Sequence, residues 1–443
     1  MPCPPISALA RAFLSCPPDA RQLAEAAASA LGHNWRWLRP LAKRFAQTFA
    51  LAPRPRHRDV MDFIRRDARF REAWSKYPQR IRVAHPLTAP QPMQPVAAAA
   101  GWEIPAIETV GALALWLEID TSELDWFADL KSFTYKTASP QLRHYRYRVL
   151  LKQSGNIRLI EAPKPRLKRL QRRILTGILD RIPLHPAAHG FRRGHSIKTF
   201  AAPHTGQRVV LRMDLRDFFP SIIGVRVQAF FRTAGYPEAV ADLLGGLCTN
   251  AAPPDVWRGA AAECAVPLDP RLLHEARALY SRPHLPQGAP TSPALANLCA
   301  YRIDCRLSGL AQSAGARYTR YADDLAFSGG EGFDRSVERF STYAAAILRK
   351  EGFAANHRKT RIMRQGVCQR LAGLVANQRV NVPRADFDNL KATLTNCIRH
   401  GIEGQNRHAH PAFRSHLEGR VGFVESINPA RGARLRALLE RIP

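Results

Sequence analysis

Long apolar runs are missing from this 443-residue chain. No stretch of about eighteen apolar residues occurs, which excludes a membrane-spanning helix. The first residues also lack the charged and apolar segments of a secretory signal, so we expect a cytoplasmic protein with no membrane partner. The eight cysteines form no Cys-x-x-Cys pair, which argues against a zinc site and indicates free thiols in a large cytosolic protein.

Acidic residues and lysine are both scarce beside arginine. The chain has 66 Lys plus Arg against 36 Asp plus Glu, which gives a formal net charge of +30. A surplus of this size indicates a polyanion, either nucleic acid or an acidic membrane surface. Because the planar guanidinium suits phosphates and stacked bases, we favour nucleic acid. An arginine-rich genome is the plainer explanation for part of the surplus.

Predicted helices and strands are interleaved irregularly, which favours an α+β fold around an antiparallel sheet. A basic helical extension with a proline-rich linker is predicted for residues 1–100. Short helices and a hairpin follow in 101–208, and most strands are expected in 209–383, with a helical segment at 236–284. Residues 384–443 are expected to form basic helices.

Three aspartates carry the main chemical signal. Asp323 and Asp324 are adjacent between two short strand-like runs, and Asp214 ends another predicted strand. Adjacent carboxylates repel each other, and a divalent cation would offset that repulsion. If the strands are neighbours, the three carboxylates can hold two Mg²⁺, with Mn²⁺ able to substitute, as phosphoryl transfer requires. Each acid taken alone is better explained as a strand-end or turn residue, but the three in this arrangement favour the metal site.

Two features, one aromatic residue and one loop, indicate a nucleotide-binding site. Phe219 follows Asp214 by five positions, and a ring beside the incoming sugar would clash with a 2′-hydroxyl, which favours deoxynucleotides. The alternative is that Phe219 belongs to the core. In the Pro/Gly-rich loop before residue 294, Gln287 could contact the nucleotide and Gly288 would allow close backbone approach.

Three cationic side chains are candidates for handling the triphosphate. Lys152 and Arg158, on either side of a hairpin turn, could hold it. Lys359 could protonate the departing pyrophosphate as a general acid. In so basic a chain, each of the three is also explained as a surface residue.

Four segments together closely resemble bacterial retron-type reverse transcriptases. They are Gly190–Ser196, Arg212–Ser221, Leu285–Pro293 and Arg320–Leu325, in matching order and approximate spacing. The resemblance implies a right-hand polymerase fold, with fingers in 101–208, a palm in 209–383 and a thumb in 384–443. It also implies an RNA-directed DNA polymerase whose magnesium ligands are Asp214, Asp323 and Asp324.

The resemblance further implies partners. In this family a noncoding RNA is template, partner and source of the priming 2′-hydroxyl, the product is an RNA–DNA hybrid, and the enzymes act in defence against phage, often with a separate effector protein. An RNA-handling element ends at His204, where Phe200 stands in place of the usual Asn, and Leu371–Gly373 replaces Val-Thr-Gly. In the thumb, we expect four arginines to face the template–primer duplex: Arg399, Arg407, Arg414 and Arg420.

Three alternatives stay open beside the retron interpretation. One is a bacterial reverse transcriptase from a defence system without a retron RNA, which the two departures favour. A group II intron enzyme should continue beyond the thumb, whereas this sequence stops at Pro443. The third is an RNA-binding relative without catalysis, against which the presence of Asp214, Asp323 and Asp324 argues.

Overall fold

The structure is a computed structural model, and it describes residues 4–49, 55–85, 91–137, 139–151, 157–258, 269–407 and 409–442. The chain divides into two compact units. The first comprises Met1–Pro183 with Phe219–Cys299, and the second comprises Leu184–Phe218 with Ala300–Pro443. Within the described residues, no helix has both the length and the apolar character needed to cross a bilayer.

The regular elements are numbered in chain order. The α-helices are α1 (Pro4–Ser15), α2 (Ala20–Leu31), α3 (Leu38–Phe49), α4 (His57–Arg66), α5 (Ala68–Lys76), α6 (Val110–Leu117), α7 (Thr121–Ala128), α8 (Phe133–Lys136), α9 (Pro165–Gly177), α10 (Ile197–Ala201), α11 (Phe218–Ser221), α12 (Gly224–Thr233), α13 (Glu238–Cys248), α14 (Pro270–Tyr280), α15 (Ser292–Cys299), α16 (Tyr301–Ser313), α17 (Glu331–Lys350), α18 (Arg384–His400), α19 (Phe413–Ile427) and α20 (Pro429–Leu439). The strands are β1 (Tyr145–Leu151), β2 (Ile157–Pro163), β3 (Val209–Asp214), β4 (Arg317–Tyr321), β5 (Asp324–Gly329), β6 (Arg361–Arg364), β7 (Arg370–Leu371) and β8 (Leu374–Val375). Short 3₁₀ turns occur at Ala97–Ala99, Pro140–Leu142, Leu179–Arg181, Ala202–His204 and Glu403–Gln405.

Helices α1 to α5 form a separate hydrophobic cluster at the start of the first unit. Helix α2 shows how the sequence sets their limits. Asp19 caps its first turn by accepting hydrogen bonds from the backbone N–H groups of Arg21 and Gln22, and Gly32 ends it with a left-handed φ of 64°. These five helices pack around a core of their own.

The rest of the first unit is mainly helical and includes the predicted hairpin. Strands β1 and β2 pair antiparallel from Tyr145 opposite Pro163 to Leu151 opposite Ile157. Ile157 and Leu159 alternate with outward-facing residues on β2 and join a core cluster with Trp257. Helix α9 begins at Pro165, which suits the first helical position because its missing N–H is not needed there.

The second unit is built on a four-stranded antiparallel sheet in the order β4-β5-β3-β6. Val209, Leu211 and Met213 on β3 are buried, as are Leu325 and Phe327 on β5. Val210 and Ala326 are buried as well, so the central strands β3 and β5 are covered on both faces. The long helix α17 packs against β3 and β5.

The C-terminal helices α18, α19 and α20 share a second core in the same unit. Leu390 and Leu394 of α18 lie in one cluster with Leu417 and Val421 of α19 and with Leu435 of α20. The antiparallel sheet and surrounding helices confirm the predicted α+β class.

Candidate active site

The end of β3 and the turn between β4 and β5 bring the three predicted acids together. Asp214 lies opposite Asp324 in the register of the two strands. The backbone N–H of Leu215 donates to the carbonyl of Asp323 at 2.8 Å. Ala322 takes a left-handed φ of 55° immediately before Asp323, which makes the turn tight. Residues more than a hundred positions apart in the sequence therefore meet at one edge of the sheet.

A glycine leaves room for this turn. A β-carbon placed on Gly190 would come within 2.6 Å of the backbone nitrogen of Ala322. No side chain tolerates such a contact with backbone, so Gly190 allows the segment before β3 to pack directly on the turn. The sequence showed Gly190 in a family motif, but the reason for it is visible only in three dimensions.

Two cations and one amide hold the aspartate side chains. The Nζ of Lys359 lies 2.9 Å from Oδ2 of Asp214, and Nδ2 of Asn356 donates to Oδ1 of the same carboxylate at 3.2 Å. The guanidinium of Arg212 donates twice to Oδ1 of Asp324, at 2.9 and 2.7 Å. The carboxylates of Asp214 and Asp324 are thus each fixed by a named partner.

Sequence reasoning missed Arg212 and Asn356 as site residues. Arg212 had a signal, since it is two positions before Asp214 on a strand and must share its face. Asn356 had none beyond lying three residues before Lys359. Its backbone N–H also donates to the carbonyl of Asp214 at 2.7 Å, so Asn356 secures that residue through backbone and side chain.

Burial and mutual repulsion act on the turn carboxylates. Burial, followed by the charges of Asp324 and Asp214, raises the pKa of Asp323. Burial also raises the pKa of Asp324, and the neighbouring guanidinium of Arg212 opposes that shift. The site therefore concentrates negative charge, which a nearby cation would stabilise.

The donor set suits a hard divalent cation. Mg²⁺ prefers carboxylate oxygens and commonly takes only one or two from the protein, completing its shell with water and substrate phosphate. Among the described residues, no three carboxylate, imidazole or thiolate side chains are arranged to hold one ion. Asp214 pairs with Lys359 and Asp324 pairs with Arg212, so both carboxylates are engaged by protein cations in this structure. The residues fit Mg²⁺ in chemistry, because Asp214, Asp323 and Asp324 supply carboxylate oxygens at one edge of the sheet.

Four of the five nucleotide candidates belong to the first unit, and the fifth lies outside the described residues. Phe219 is half-buried, whereas its neighbour Phe218 is 4% exposed and packs on Phe353 with ring centroids 5.9 Å apart. Phe218 is therefore the core residue of the pair. Arg158 is exposed on β2. Lys152 lies outside the described residues.

The loop that carries Gln287 and Gly288 packs against β2. The carbonyl of Gln287 accepts a hydrogen bond from the backbone N–H of Glu161 at 2.9 Å. Gly288 has a φ of +140°, and a β-carbon there would lie 2.8 Å from the carbonyl oxygen of Glu161. The group that lies close to Gly288 is therefore the backbone of β2, whereas the sequence predicted a base or sugar there.

His204, predicted to contact RNA, has no exposed surface. Its Nδ1 lies 2.7 Å from the hydroxyl of Ser328, and its Nε2 lies 2.7 Å from the hydroxyl of Thr319. Burial, followed by the charge of Arg317, lowers the pKa of His204 to about 3. A neutral, enclosed imidazole joins the segment before β3 to β4 and β5, so the structure argues against direct contact between His204 and RNA.

The four arginines predicted to face a template–primer duplex are exposed, but they do not form one face. Arg399 lies in the last turn of α18, and Arg407 lies in a turn after it. Arg414 and Arg420 are six positions apart on α19, which places them about 120° apart around the helix axis. Arg414 also donates to the carbonyl of Ile442 at 3.2 Å. A single duplex on one side of these helices could therefore contact only some of the four arginines.

The chain is similar to known proteins over the region that contains the sheet. Residues 150–382 match the family described as Reverse transcriptase (RNA-dependent DNA polymerase). The matched region contains β3, the β4–β5 turn and Lys359.

Curated relatives are retron enzymes. The chain is 40% identical to Retron Mx65 reverse transcriptase of Myxococcus xanthus over 69% of this chain and 66% of that protein. It is 36% identical to Retron Mx162 reverse transcriptase of the same organism, over 76% of this chain and 67% of that protein. It is 30% identical to Retron Ec86 reverse transcriptase of Escherichia coli, over 67% of this chain and 82% of that protein.

The chain spans about two thirds of the length of the two M. xanthus relatives. The matches confirm the predicted family, its right-hand polymerase fold class and its enzyme class. On this evidence, the chain belongs to the bacterial retron-type reverse transcriptases, which are RNA-directed DNA polymerases.

Proposed function

We propose that this chain copies RNA into DNA by adding deoxynucleotides to a primer end at the edge of the sheet formed by Asp214, Asp323 and Asp324. The observation that carries the proposal is the register that sets Asp214 opposite Asp324, with Asp323 bonded through its carbonyl to Leu215. A sheet edge with clustered carboxylates fits phosphoryl transfer, where charge builds up on phosphate oxygens.

Divalent cations complete the proposed site. Asp214, Asp323 and Asp324 would hold them, as two Mg²⁺ with Mn²⁺ able to substitute. When bound, such cations supply activation of the primer hydroxyl and neutralise charge on the departing pyrophosphate. The chain's own contribution is to fix the carboxylates, since Asn356 holds one oxygen of Asp214 and Arg212 holds Asp324.

Lys359 is the proposed proton donor to the leaving pyrophosphate. Its ammonium group lies 2.9 Å from Asp214, and about half of its side chain is exposed, so it reaches both the site and solvent. In the presence of substrate, we propose that Lys359 leaves Asp214 and donates its proton to a pyrophosphate oxygen.

The proposed RNA partner follows from the relatives. Three of them are named retron reverse transcriptases. We therefore propose that this enzyme uses a noncoding RNA as template and primer, that it binds the RNA–DNA hybrid it makes, and that the RNA-linked DNA serves anti-phage defence with a separate effector protein. The exposed thumb residues Arg399, Arg407 and Arg420 are candidates for contacts with that hybrid.

Primer extension tests the catalytic proposal. Wild-type protein, Asp323→Asn and the control Asp334→Asn are incubated with poly(rA)/oligo(dT), dTTP and Mg²⁺. Asp334 is an acid of the same unit that pairs with Arg208 and Arg364 at the surface. We expect Asp323→Asn to lose about 10³-fold in rate, because several kcal/mol of charge stabilisation depends on such a ligand. A wild-type rate no higher than that of Asp323→Asn would end the proposal.

Sequencing the nucleic acid that copurifies with the protein tests the retron assignment. A DNA joined to RNA through a 2′-hydroxyl, released by debranching enzyme, is expected. Linear complementary DNA without that branch would instead identify a reverse transcriptase from a defence system without a retron RNA.

A further inference from the structure

The N-terminal helices α1 to α5 are a separate structural element with no part in the proposed active site. They lie outside the residues that match the reverse transcriptase family, which begin at 150. Their core is their own, with Trp37 and Phe70 packed edge to face at 5.3 Å.

This element is attached to the rest of the first unit along one side. The guanidinium of Arg56 donates to Gln228 at 2.7 Å and pairs with Asp242 at 3.3 Å. The backbone N–H of His57 donates to Glu238 at 2.6 Å. Helices α12 and α13 thus hold the start of α4, and other sides of the element remain exposed.

One exposed side carries aromatic rings among cations. We name it the Trp35–Tyr77 patch, formed by Trp35, Arg36, Lys76, Tyr77 and Arg80. The rings of Trp35 and Tyr77 are half-buried, with centroids 5.7 Å apart. Lys76 lies 5.5 Å and Arg80 lies 5.8 Å from the centroid of the Tyr77 ring. Arg36, Lys76 and Arg80 are exposed.

The cations of this patch differ from other basic residues of the same element. Arg21 pairs with Glu25, Arg44 with Asp67 and Arg65 with Asp62. Within the part of the chain that the structure describes, Arg36, Lys76 and Arg80 form no ion pair with an acidic side chain. Positive charge is thus left uncompensated around the two rings.

Helix α3 extends this positive surface. Arg39 and Lys43 are exposed and four positions apart, so they share one side of the helix directly after Arg36. The opposite side of α3 is buried through Leu38, Leu41 and Phe45. The amphipathic pattern of the helix therefore holds these cations outward.

We propose that the Trp35–Tyr77 patch binds a single-stranded segment of the RNA partner. Trp35 and Tyr77 pack on the core of the element but keep part of their rings at the surface. Bases can stack against these partly exposed rings, and the surrounding cations suit the phosphates. Arg36 and Arg80 can also stack on bases through their guanidinium planes. The inference depends on the proposed function only for the identity of the polyanion as RNA, because the charge and the rings are properties of this element alone.

Salt-dependent binding by the full chain tests the assignment. The probe is a fluorescein-labelled oligouridylate of about 20 nucleotides, longer than typical single-strand sites, in EDTA without dNTPs. The triple variant Arg36→Gln/Lys76→Gln/Arg80→Gln should make the slope of log affinity against log salt less steep by about 2, since each single-strand phosphate contact contributes about 0.7. Tyr77→Ala should weaken binding by about tenfold, and Tyr77→Phe should retain affinity.

A matched control removes the same charge from the same element. Arg11→Gln/Arg21→Gln/Arg65→Gln takes three exposed arginines from α1, α2 and α4. Its slope should stay close to that of wild type, and thermal melts of both triple variants should coincide with wild type. Equal slopes for the two triple variants would overturn the proposal. So would a patch variant that binds RNA normally but loses affinity for phosphatidylserine vesicles.

The two proposals fail separately. The binding assay contains neither metal nor nucleotide, so its outcome does not depend on catalysis. If wild type shows no primer extension while the patch variants change RNA binding as predicted, the enzymatic proposal alone is rejected. Crosslinking of 4-thiouridine RNA to the peptide that contains Tyr77 would support the patch directly, and a crosslink map without that peptide would reject it.

Discussion

The guanidinium of Arg320 lies 2.6 Å from the carboxylate of Asp304, and neither side chain is exposed to solvent. The hydroxyl of Tyr318 also donates to Asp304, at 2.8 Å. Arg320 donates in addition to the carbonyl of Ala322 at 3.2 Å. Because Ala322 has a left-handed φ and directly precedes Asp323, this buried ion pair connects helix α16 to the turn that carries the candidate catalytic acid.

Removing one partner of this pair should destabilise the protein. Asp304→Ala leaves a buried guanidinium without its counter-charge, and we expect a loss of about 3–5 kcal/mol in the free energy of unfolding. The measurement is urea denaturation followed by circular dichroism. Arg335→Ala is the control, because its ion pair with Glu331 is largely exposed and should contribute at most about 0.5 kcal/mol. Equal denaturation midpoints for the two variants would contradict a structural role for Asp304.

A second buried pair makes stability depend on pH. His284 and Glu161 are both unexposed, with Nε2 of His284 2.8 Å from Oε2 of Glu161. Burial acts to lower the pKa of His284, but the charge and hydrogen bond of Glu161 act in the opposite direction and the net shift is upward. Asn250 donates to the other oxygen of Glu161 at 2.7 Å, so the carboxylate is held from two sides.

The sign of this effect follows from linkage. A histidine whose folded-state pKa lies above its unfolded value contributes stability that is complete below about pH 6.5 and is lost as the pH rises through the folded-state value. We therefore expect wild type to have a higher free energy of unfolding than His284→Gln, and we expect this difference to be larger at pH 6 than at pH 9. Denaturant titrations at the two pH values measure this difference, and a gap that widens toward pH 9 would refute it.

Gly288 should resist substitution. A β-carbon there would lie 2.8 Å from the carbonyl oxygen of Glu161, and the φ of +140° is strained for any side chain. We expect Gly288→Ala to cost about 1–3 kcal/mol, in the range of backbone strain. Gly309→Ala is the matched control, since it lies in helix α16 with no atom within 4 Å of the added carbon, and it should be neutral or stabilising by about 1 kcal/mol. Thermal melts of both variants test the contrast.

The sequence predicted the elements of this protein better than their connections. The short apolar run from Val209 was enough to predict β3, and the two-residue spacing of Leu211 and Met213 was enough to place Asp214 on the other face. The pair Asp323–Asp324 was enough to predict a charged turn. These signals are local, because they depend on neighbours one or two positions away.

The sequence could not predict which residues far apart in the chain contact each other. The enclosure of His204 by Ser328 and Thr319 brings together residues more than a hundred positions apart, so its motif was interpreted as a surface for RNA. Gly288 was assigned to a ligand because its actual neighbour, the backbone at Glu161, is equally remote. Close packing between distant segments has no one-dimensional signature when only one sequence is compared.

Phe219 gives the sharpest test of substrate choice. Phe218 and Phe219 are chemically alike, but Phe218 is buried against Phe353 and Phe219 is half-buried. If Phe219 borders the incoming sugar, Phe219→Ala should admit ribonucleotides, with the ratio of kcat/KM for dTTP over UTP falling by about 10² on poly(rA)/oligo(dT). Phe218→Leu is the control, because it should lower thermal stability through a core cavity and leave that ratio unchanged. A ratio in Phe219→Ala equal to that of wild type would mean that the ring of Phe219 serves packing alone.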